Sequence, residues 1–318
     1  MAKCAAVQKI QKFYRDFLRD EKDAVMLKET LKDFYASYAP YYAFVGPKGK
    51  NAERRVALAL DTAEKAGRHL ELGCAQGHFV LEAARRGVPS VGLDISWLAI
   101  QRARANQQTD PPREKVYFCQ GDMECLPIRE NQFDLVTSFE NLEHLVSPFA
   151  ALAEIVRVLR PGGILILDCA HGYEWVRIRG LGQVVQNLFV LFRFFLSFLK
   201  IKHVQRNLPL VHPSLWDSKK DAFRPDYDRV SRYSSKAVFD FLREKGMRVK
   251  IFDTFCWKKD AALQQKNRKA FLYYHRLSRW PLLKYFGNAI LIVAVKGEGE
   301  PEALEPWDNY FLESQADG

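Results

Sequence analysis

From His69 onward, short apolar runs alternate with stretches whose apolar residues recur every three or four positions. The runs are "RHLEL", "SVGLDI", "KVYFCQG", "FDLVTSF" and "ILILDCA". Between them lie helical patterns over "GHFVLEAARR", stopped by Gly87, over "SWLAIQRARANQQ", and over "SPFAALAEIVRVL", stopped by "RPGG". Strands alternating with helices of about 10 to 15 residues predict βαβ units in a parallel sheet covered on both faces. The pattern breaks after Ala170 and resumes with "SSKAVFDFLREKG", where Ser234 or Ser235 is suited to cap a helix ended by Gly246. Then come "MRVKIFDTF" and "NAILIVAVKG". The order predicts an α/β fold, one doubly wound sheet domain carrying two insertions rather than two domains in series.

The flanks read differently. Residues 5 to 36 have helical spacing with mixed charge, ended by the aromatic cluster "FYASYAPYYAF" at Pro40, and a second helix is predicted over 51 to 66. The expected organisation is an N-terminal helical cap over 1–66, a core over 67–172, a helical, apolar and basic insertion over 173–231, and the end of the sheet domain with a basic-aromatic insertion over 232–297. The tail 298–318, "GEGEPEALEPWDNYFLESQADG", is acidic with Pro and Gly and is expected to be flexible or loosely docked.

Composition alters this picture in one respect. Hydrophobic residues at 48% and charged residues at 27% are ordinary for a soluble globular chain. The net charge of +10, however, is unevenly placed. Between Tyr173 and Lys296 there are 25 Lys and Arg against 9 Asp and Glu, and in the remainder 23 against 29. The basic surface therefore belongs to the C-terminal half, where an anionic substrate, nucleic acid or an anionic membrane surface would meet it. Within that half lies "LGQVVQNLFVLFRFFLSFLKI", residues 181 to 201. On a helix its polar members Gln183, Gln186, Asn187, Arg193, Ser197 and Lys200 fall within about 140 degrees of arc, leaving a broad apolar face. Such a segment suits a surface better than a bilayer crossing. It is expected to pack as a lid, to cover a bulky apolar substrate, or to touch a membrane interface beside "KIKHVQR" and "KKDAALQQKNRKAFLYYHRLSRWPLLKYF".

The six cysteines show no CxxC pair and no metal-ligand spacing, and "MAKCAAVQKIQKFYRDF" lacks the apolar stretch of a signal peptide. A reduced, cytoplasmic protein, peripheral on the inner face of the membrane if the insertion binds lipid, is the expectation.

The candidate chemistry sits in "HLELGCAQGHF", His69 to Phe79. A dinucleotide site needs G-x-G-x-x-G for the pyrophosphate and close helix packing. Counted from Gly73, those later positions are Ala75 and His78. The spacing that fits is G-x-x-x-G, Gly73 and Gly77, with Ala75 small enough to keep the turn tight, which suits a cofactor with an amino-acid part and no pyrophosphate.

With the neighbouring motifs, residues 69 to 171 resemble a class I S-adenosylmethionine-dependent methyltransferase of the small-molecule and quinone-pathway branch. "LELGCAQG" resembles the first motif, "GLDIS" puts Asp94 at the end of the second strand, and "QGDMECLPI" resembles the adenine-holding segment. "FDLVTSFENLEHL" and "LRPGGILIL" resemble the fourth strand and the turn before the fifth. The resemblance implies a Rossmann-like fold with a seven-stranded, mostly parallel sheet, a helical lid insertion after the fifth strand, and S-adenosyl-L-methionine as cofactor. It implies that Asp94 accepts both ribose hydroxyls, that Asp122 accepts from the adenine amino group with Met123 against the ring, and that Gly73 and Gly77 bring backbone to the methionine moiety. Glu71 would orient the ammonium end, and Cys74, Ala75, Ile95 and Phe139 complete the implied contacts.

Transfer then needs an aligned nucleophile and, for a hydroxyl or a protonated amine, a base. His144, after the fourth strand, is the candidate catalytic residue, since an imidazole titrates near neutrality. Its segment also reads E-x-x-E-H, Glu140, Glu143 and His144, a pattern with which some relatives bind a divalent cation. A further ligand would have to come from Asp226, Asp228, His203 or His212, and no metal is expected. The reading is O-methylation of a small or lipid-like molecule, with RNA methylation and non-catalytic cofactor binding as alternatives.

Overall fold

A computed structural model describes residues 50–109, 115–170, 235–255 and 289–310, together with Lys28, Glu29, Leu31, Lys32, Tyr35, Trp216, Asp217, Ala222, Phe223, Ser231 and Tyr233. Helix α1 (Lys50–Ala66) leads into β1 (His69–Leu72), α2 (His78–Arg85), β2 (Ser90–Asp94), α3 (Trp97–Thr109), β3 (Val116–Gln120) and β4 (Phe133–Phe139). A 3-10 turn (Leu142–His144), α4 (Pro148–Val158), β5 (Leu159–Ala170), α5 (Ser235–Glu244), β6 (Met247–Phe255) and β7 (Ala289–Lys296) follow, with a last 3-10 helix over Glu302–Trp307. Trp216–Asp217 and Ala222–Phe223 pair in a separate two-stranded ladder.

The main sheet has seven strands in the order β3-β2-β1-β4-β5-β7-β6. β1 through β5 are mutually parallel, and β7 runs antiparallel to both β5 and β6. The continuous apolar runs are explained by burial on both faces. Along β5, Leu165 and Leu167 join one core with Leu72, Leu152 and Ile155, while Ile164 and Ile166 join the other with Ala59, Phe79 and Trp307. The "RPGG" turn does not precede β5 but bulges within it: Leu159 pairs with Phe133, Ile164 with Leu135, and Gly162 between them has φ 75°.

The doubly wound, mostly parallel sheet agrees with the sequence. Of the insertion over 173–231 only Trp216, Asp217, Ala222, Phe223 and Ser231 are described, and residues 181 to 201 lie outside the described residues. The tail needs correction as far as Tyr310: it is docked, not loose. Ala303, Leu304, Trp307 and Tyr310 are buried in the core beneath α1, Trp307 Nε1 donates to Thr62 Oγ1 at 2.7 Å, and Tyr310 donates to Asp253 Oδ2 at 2.9 Å. Its acidic residues face cations, Glu305 pairing with Lys65 and Glu300 and Asp308 with Lys250.

Candidate active site

Strand order reverses between β1 and β4, and in open α/β sheets that crevice, at the carboxyl ends of the strands, receives ligands. β1 is fixed there by a buried histidine. His69 faces Ser90 Oγ at 3.1 Å on β2 and Thr137 Oγ1 at 2.8 Å on β4, and burial lowers its pKa to about 3, so it is neutral and structural.

The loop after β1 turns through Gly73, Ala75 and Gly77, all at positive φ, 70°, 46° and 78°. Gly73 N–H donates to Leu93 O at 2.7 Å, and Ala75 N–H donates to Asp94 Oδ2 at 2.9 Å. Ser96 N–H donates to Asp94 Oδ1 at 2.8 Å. The carboxylate is thus aimed by two backbone donors, each oxygen keeping an acceptor site for a hydroxyl. Burial raises the Asp94 pKa, and these N–H groups act against it.

A cavity of about 210 Å³ opens above this loop. Gly73, Ala75, Asp94, Ile95, Asp122, Met123, Phe139 and His144 line it. Three expected residues stand behind that wall. Gly77 serves packing: a Cβ there would lie 2.4 Å from the Phe118 ring. The Cys74 side chain belongs to the core with Ile100 and Phe118, where burial pushes its thiol pKa well up. Glu71 is buried in β1, its pKa raised well above the carboxylate range by burial, and its Oε2 has no hydrogen-bond partner among the described residues.

Sequence reasoning missed Asn141. Its Nδ2 donates to Leu72 O at 2.9 Å and Phe139 O at 2.8 Å, tying β4 to β1. A Cβ on Gly73 would sit 2.0 Å from Asn141 Oδ1, so the first glycine is required by this side chain as well as by its own φ. Lys28, Leu31 and Tyr35 also line the cavity, from far upstream.

At the other end, beyond β4, Glu140 adopts φ 54° and lines the cavity with His144. Glu143 is buried instead, so the three do not converge. Among the described residues no group of three or more His, Cys, Asp or Glu is placed to hold a metal ion. Asp226, Asp228, His203 and His212 lie outside them. Ser231 returns to this rim, its N–H donating to Glu143 O at 3.0 Å and its hydroxyl to Leu145 O.

Residues 70–167 match the family described as methyltransferase domain. The chain is 34% identical over 110 residues to sterol 24-C-methyltransferase of Pneumocystis carinii, covering 34% of this chain and 28% of that one. It is 28% identical over 141 residues to 2-phytyl-1,4-naphtoquinone methyltransferase of Nostoc punctiforme, covering 43% and 61%. The chain therefore spans less than two thirds of the length of these curated relatives. The [4+2]-cyclase SpnF shares the fold, with a TM-score of 0.53 at 17% identity over 86% of this chain and 97% of that one. Over residues 70–167 the chain is a class I S-adenosylmethionine-dependent methyltransferase domain. Its cofactor is S-adenosyl-L-methionine, and the residues fit that molecule: a tight loop that brings Gly73 and Ala75 to the cavity, an aimed carboxylate at the end of β2, and a buried carboxylate oxygen left open beneath the loop.

Proposed function

We propose that the protein methylates a small or lipid-like acceptor, with transfer to oxygen. The observation that carries this is the two-ended cavity, with Asp94, Asp122 and Met123 at one end and Glu140 and His144 at the other. Asp94 takes the ribose hydroxyls, Asp122 and Met123 hold the purine, and Gly73 and Ala75 give backbone to the methionine part. Glu71 stands beneath this loop to orient the ammonium end. The cofactor, when bound, supplies a methyl group already activated on a sulfonium.

The chain's own work is then to align the acceptor and take its proton. His144 serves as the base, which suits a hydroxyl acceptor. A lipid-like acceptor is supported by the insertion: it leaves the sheet at Ala170, just beyond the partner of the cavity-lining Phe139, and returns at Ser231 beside Glu143. Its sequence is broadly apolar within a basic half. The names of the two relatives, a sterol and a naphtoquinone methyltransferase, point the same way.

The test is transfer of labelled methyl from S-adenosyl-L-methionine into fractionated cell extract by the purified protein. Label is expected in the lipid-soluble fraction, on base-stable ether oxygen. Label in RNA, or none anywhere, overturns the reading. His144→Ala should lower kcat by about 100-fold with cofactor affinity unchanged, and retained turnover would remove the base.

A further inference from the structure

Asp122 closes the nucleoside end of the cavity, and its carboxylate is held on both oxygens. Oδ1 accepts from the Glu124 backbone N–H at 2.9 Å, and Oδ2 lies 2.7 Å from Lys28 Nζ. The same ammonium is 2.7 Å from Glu124 Oε2, while Glu124 Oε1 accepts from the Ser147 N–H at 3.0 Å, just ahead of α4. Lys28 is half-buried. Burial alone would lower its pKa, but hydrogen bonds and charge from Asp122 and Glu124 reverse this and raise it.

The segment that brings Lys28 here is fastened at further points. Leu31 is 7% exposed and lines the cavity with Tyr35, and Ser96 Oγ donates to Tyr35 O at 3.1 Å, beside Asp94. The methyltransferase-domain match begins at residue 70, so these residues lie outside it. Lys28 is the only Lys or Arg in the described cavity wall, which also holds the carboxylates of Asp94, Asp122, Glu124 and Glu140.

We propose that Lys28 is a positioning residue for the cofactor: by bridging Asp122 and Glu124 it aims the Asp122 carboxylate at the exocyclic amino group of the purine. The inference rests on the cofactor reading above. Each carboxylate oxygen has two acceptor sites, and the bridge and the Glu124 N–H use one on each. One site per oxygen is left for a purine N–H donor. Remove the ammonium, and two neighbouring carboxylates face each other with no cation between them, so Asp122 turns away from the base.

The experiment is calorimetric binding of S-adenosylhomocysteine and of S-inosylhomocysteine, in which a carbonyl replaces the 6-amino group, to the full-length protein. Wild type should prefer the adenine ligand. Lys28→Met should weaken the adenine ligand by about tenfold, leave the inosine ligand within about twofold, and so collapse the base preference, while Lys28→Arg should restore most of it. Thermal midpoints of the ligand-free variants check folding, and Lys28→Gln carries the same test if Lys28→Met does not fold. Unchanged or tighter binding of the adenine ligand by Lys28→Met overturns the proposal, the latter showing that Lys28 competes with the base. Equal weakening of both ligands also overturns it, leaving only a fastening role for the segment. No binding of either ligand by wild type overturns the cofactor reading itself.

Discussion

At the scale of single residues, the turn after β1 rests on backbone conformations that L side chains disfavour. Ala75 at φ 46° occupies the left-handed region, which costs about 1–2 kcal/mol in a non-glycine residue. Its N–H nevertheless holds Asp94, so the strain is stored where the site is built. Ala75→Gly removes that strain but loosens the unfolded chain by about 0.5–1 kcal/mol. A small net gain in denaturation midpoint is expected, with cofactor affinity retained. Gly73→Ala should act in the opposite direction, since the new methyl group meets Asn141 Oδ1 at 2.0 Å. Displacing Asn141 breaks its bonds to Leu72 O and Phe139 O, and the loss should exceed about 2 kcal/mol of stability and abolish cofactor binding. A Gly73→Ala protein that binds as wild type would contradict the account. Gly73, Ala75 and Asp94 were legible because their constraint is local, a turn followed by a strand end. Asn141 and Lys28 were not, because an Asn after one strand and a Lys on a distant helix acquire their roles only when the sheet pairs β1 with β4 and the N-terminal segment crosses the cavity.

Among elements, the least legible was the C-terminal segment. Gly, Pro and Glu dominate its composition, yet Ala303, Leu304, Trp307 and Tyr310 recur at helical spacing, and that stripe is what docks against α1. The docking closes over a buried charge cluster. Arg55 of α1 lies 3.1 Å from Asp168 Oδ2 of β5, and Tyr310 binds Asp253 of β6. Burial lifts the Asp168 pKa to about 6; Arg55 opposes the shift, and Glu143 and Asp253 add to it. The unfolded chain ionises Asp168 near its usual 3.8, so between the two values the native state binds more protons than the unfolded one. The contribution of this group is therefore complete below about pH 4 and is lost as pH rises to about 6. His69 acts oppositely. Its lowered pKa stabilises the fold above about 6.5, and that contribution is lost on acidification toward 3. Comparing wild type with Asp168→Asn cancels the histidine. From pH 7 to 4 the urea midpoint of wild type should rise relative to the variant, and parallel profiles would show that native Asp168 stays ionised throughout, held by Arg55. The strands of the sheet were legible because burial on both faces leaves unbroken apolar runs, whereas the β5 bulge at "RPGG" was hidden because Pro and Gly in sequence signal a turn, and here the turn lies inside a strand.

On the scale of the whole molecule, the distribution of charge and apolar surface bears on where the protein works. No helix among the described residues is long and apolar enough to cross a membrane. The half from Tyr173 to Lys296, with its 25 Lys and Arg against 9 Asp and Glu, contains the apolar stretch 181 to 201, and the chain that carries this stretch leaves β5 at Ala170, two residues past the partner of Phe139, and is back at Ser231 beside Glu143. A protein that takes a lipid-like acceptor through that rim gains from resting on the bilayer that holds the acceptor. Each Lys or Arg near an anionic surface contributes about 1 kcal/mol, an attraction that falls within a Debye length of about 10 Å at 0.1 M salt and about 3 Å at 1 M. Co-sedimentation with vesicles of phosphatidylserine and phosphatidylcholine measures this. Wild type should pellet with them at low salt, remain in solution with pure phosphatidylcholine, and be partly released by high salt. Replacing Phe192 and Phe195, which lie outside the polar arc, with Asp should abolish pelleting while the urea midpoint stays as in wild type. If wild type remains in the supernatant with anionic vesicles at low salt and the double variant is unfolded, the stretch packs on the protein itself, and the acceptor reaches His144 from solution.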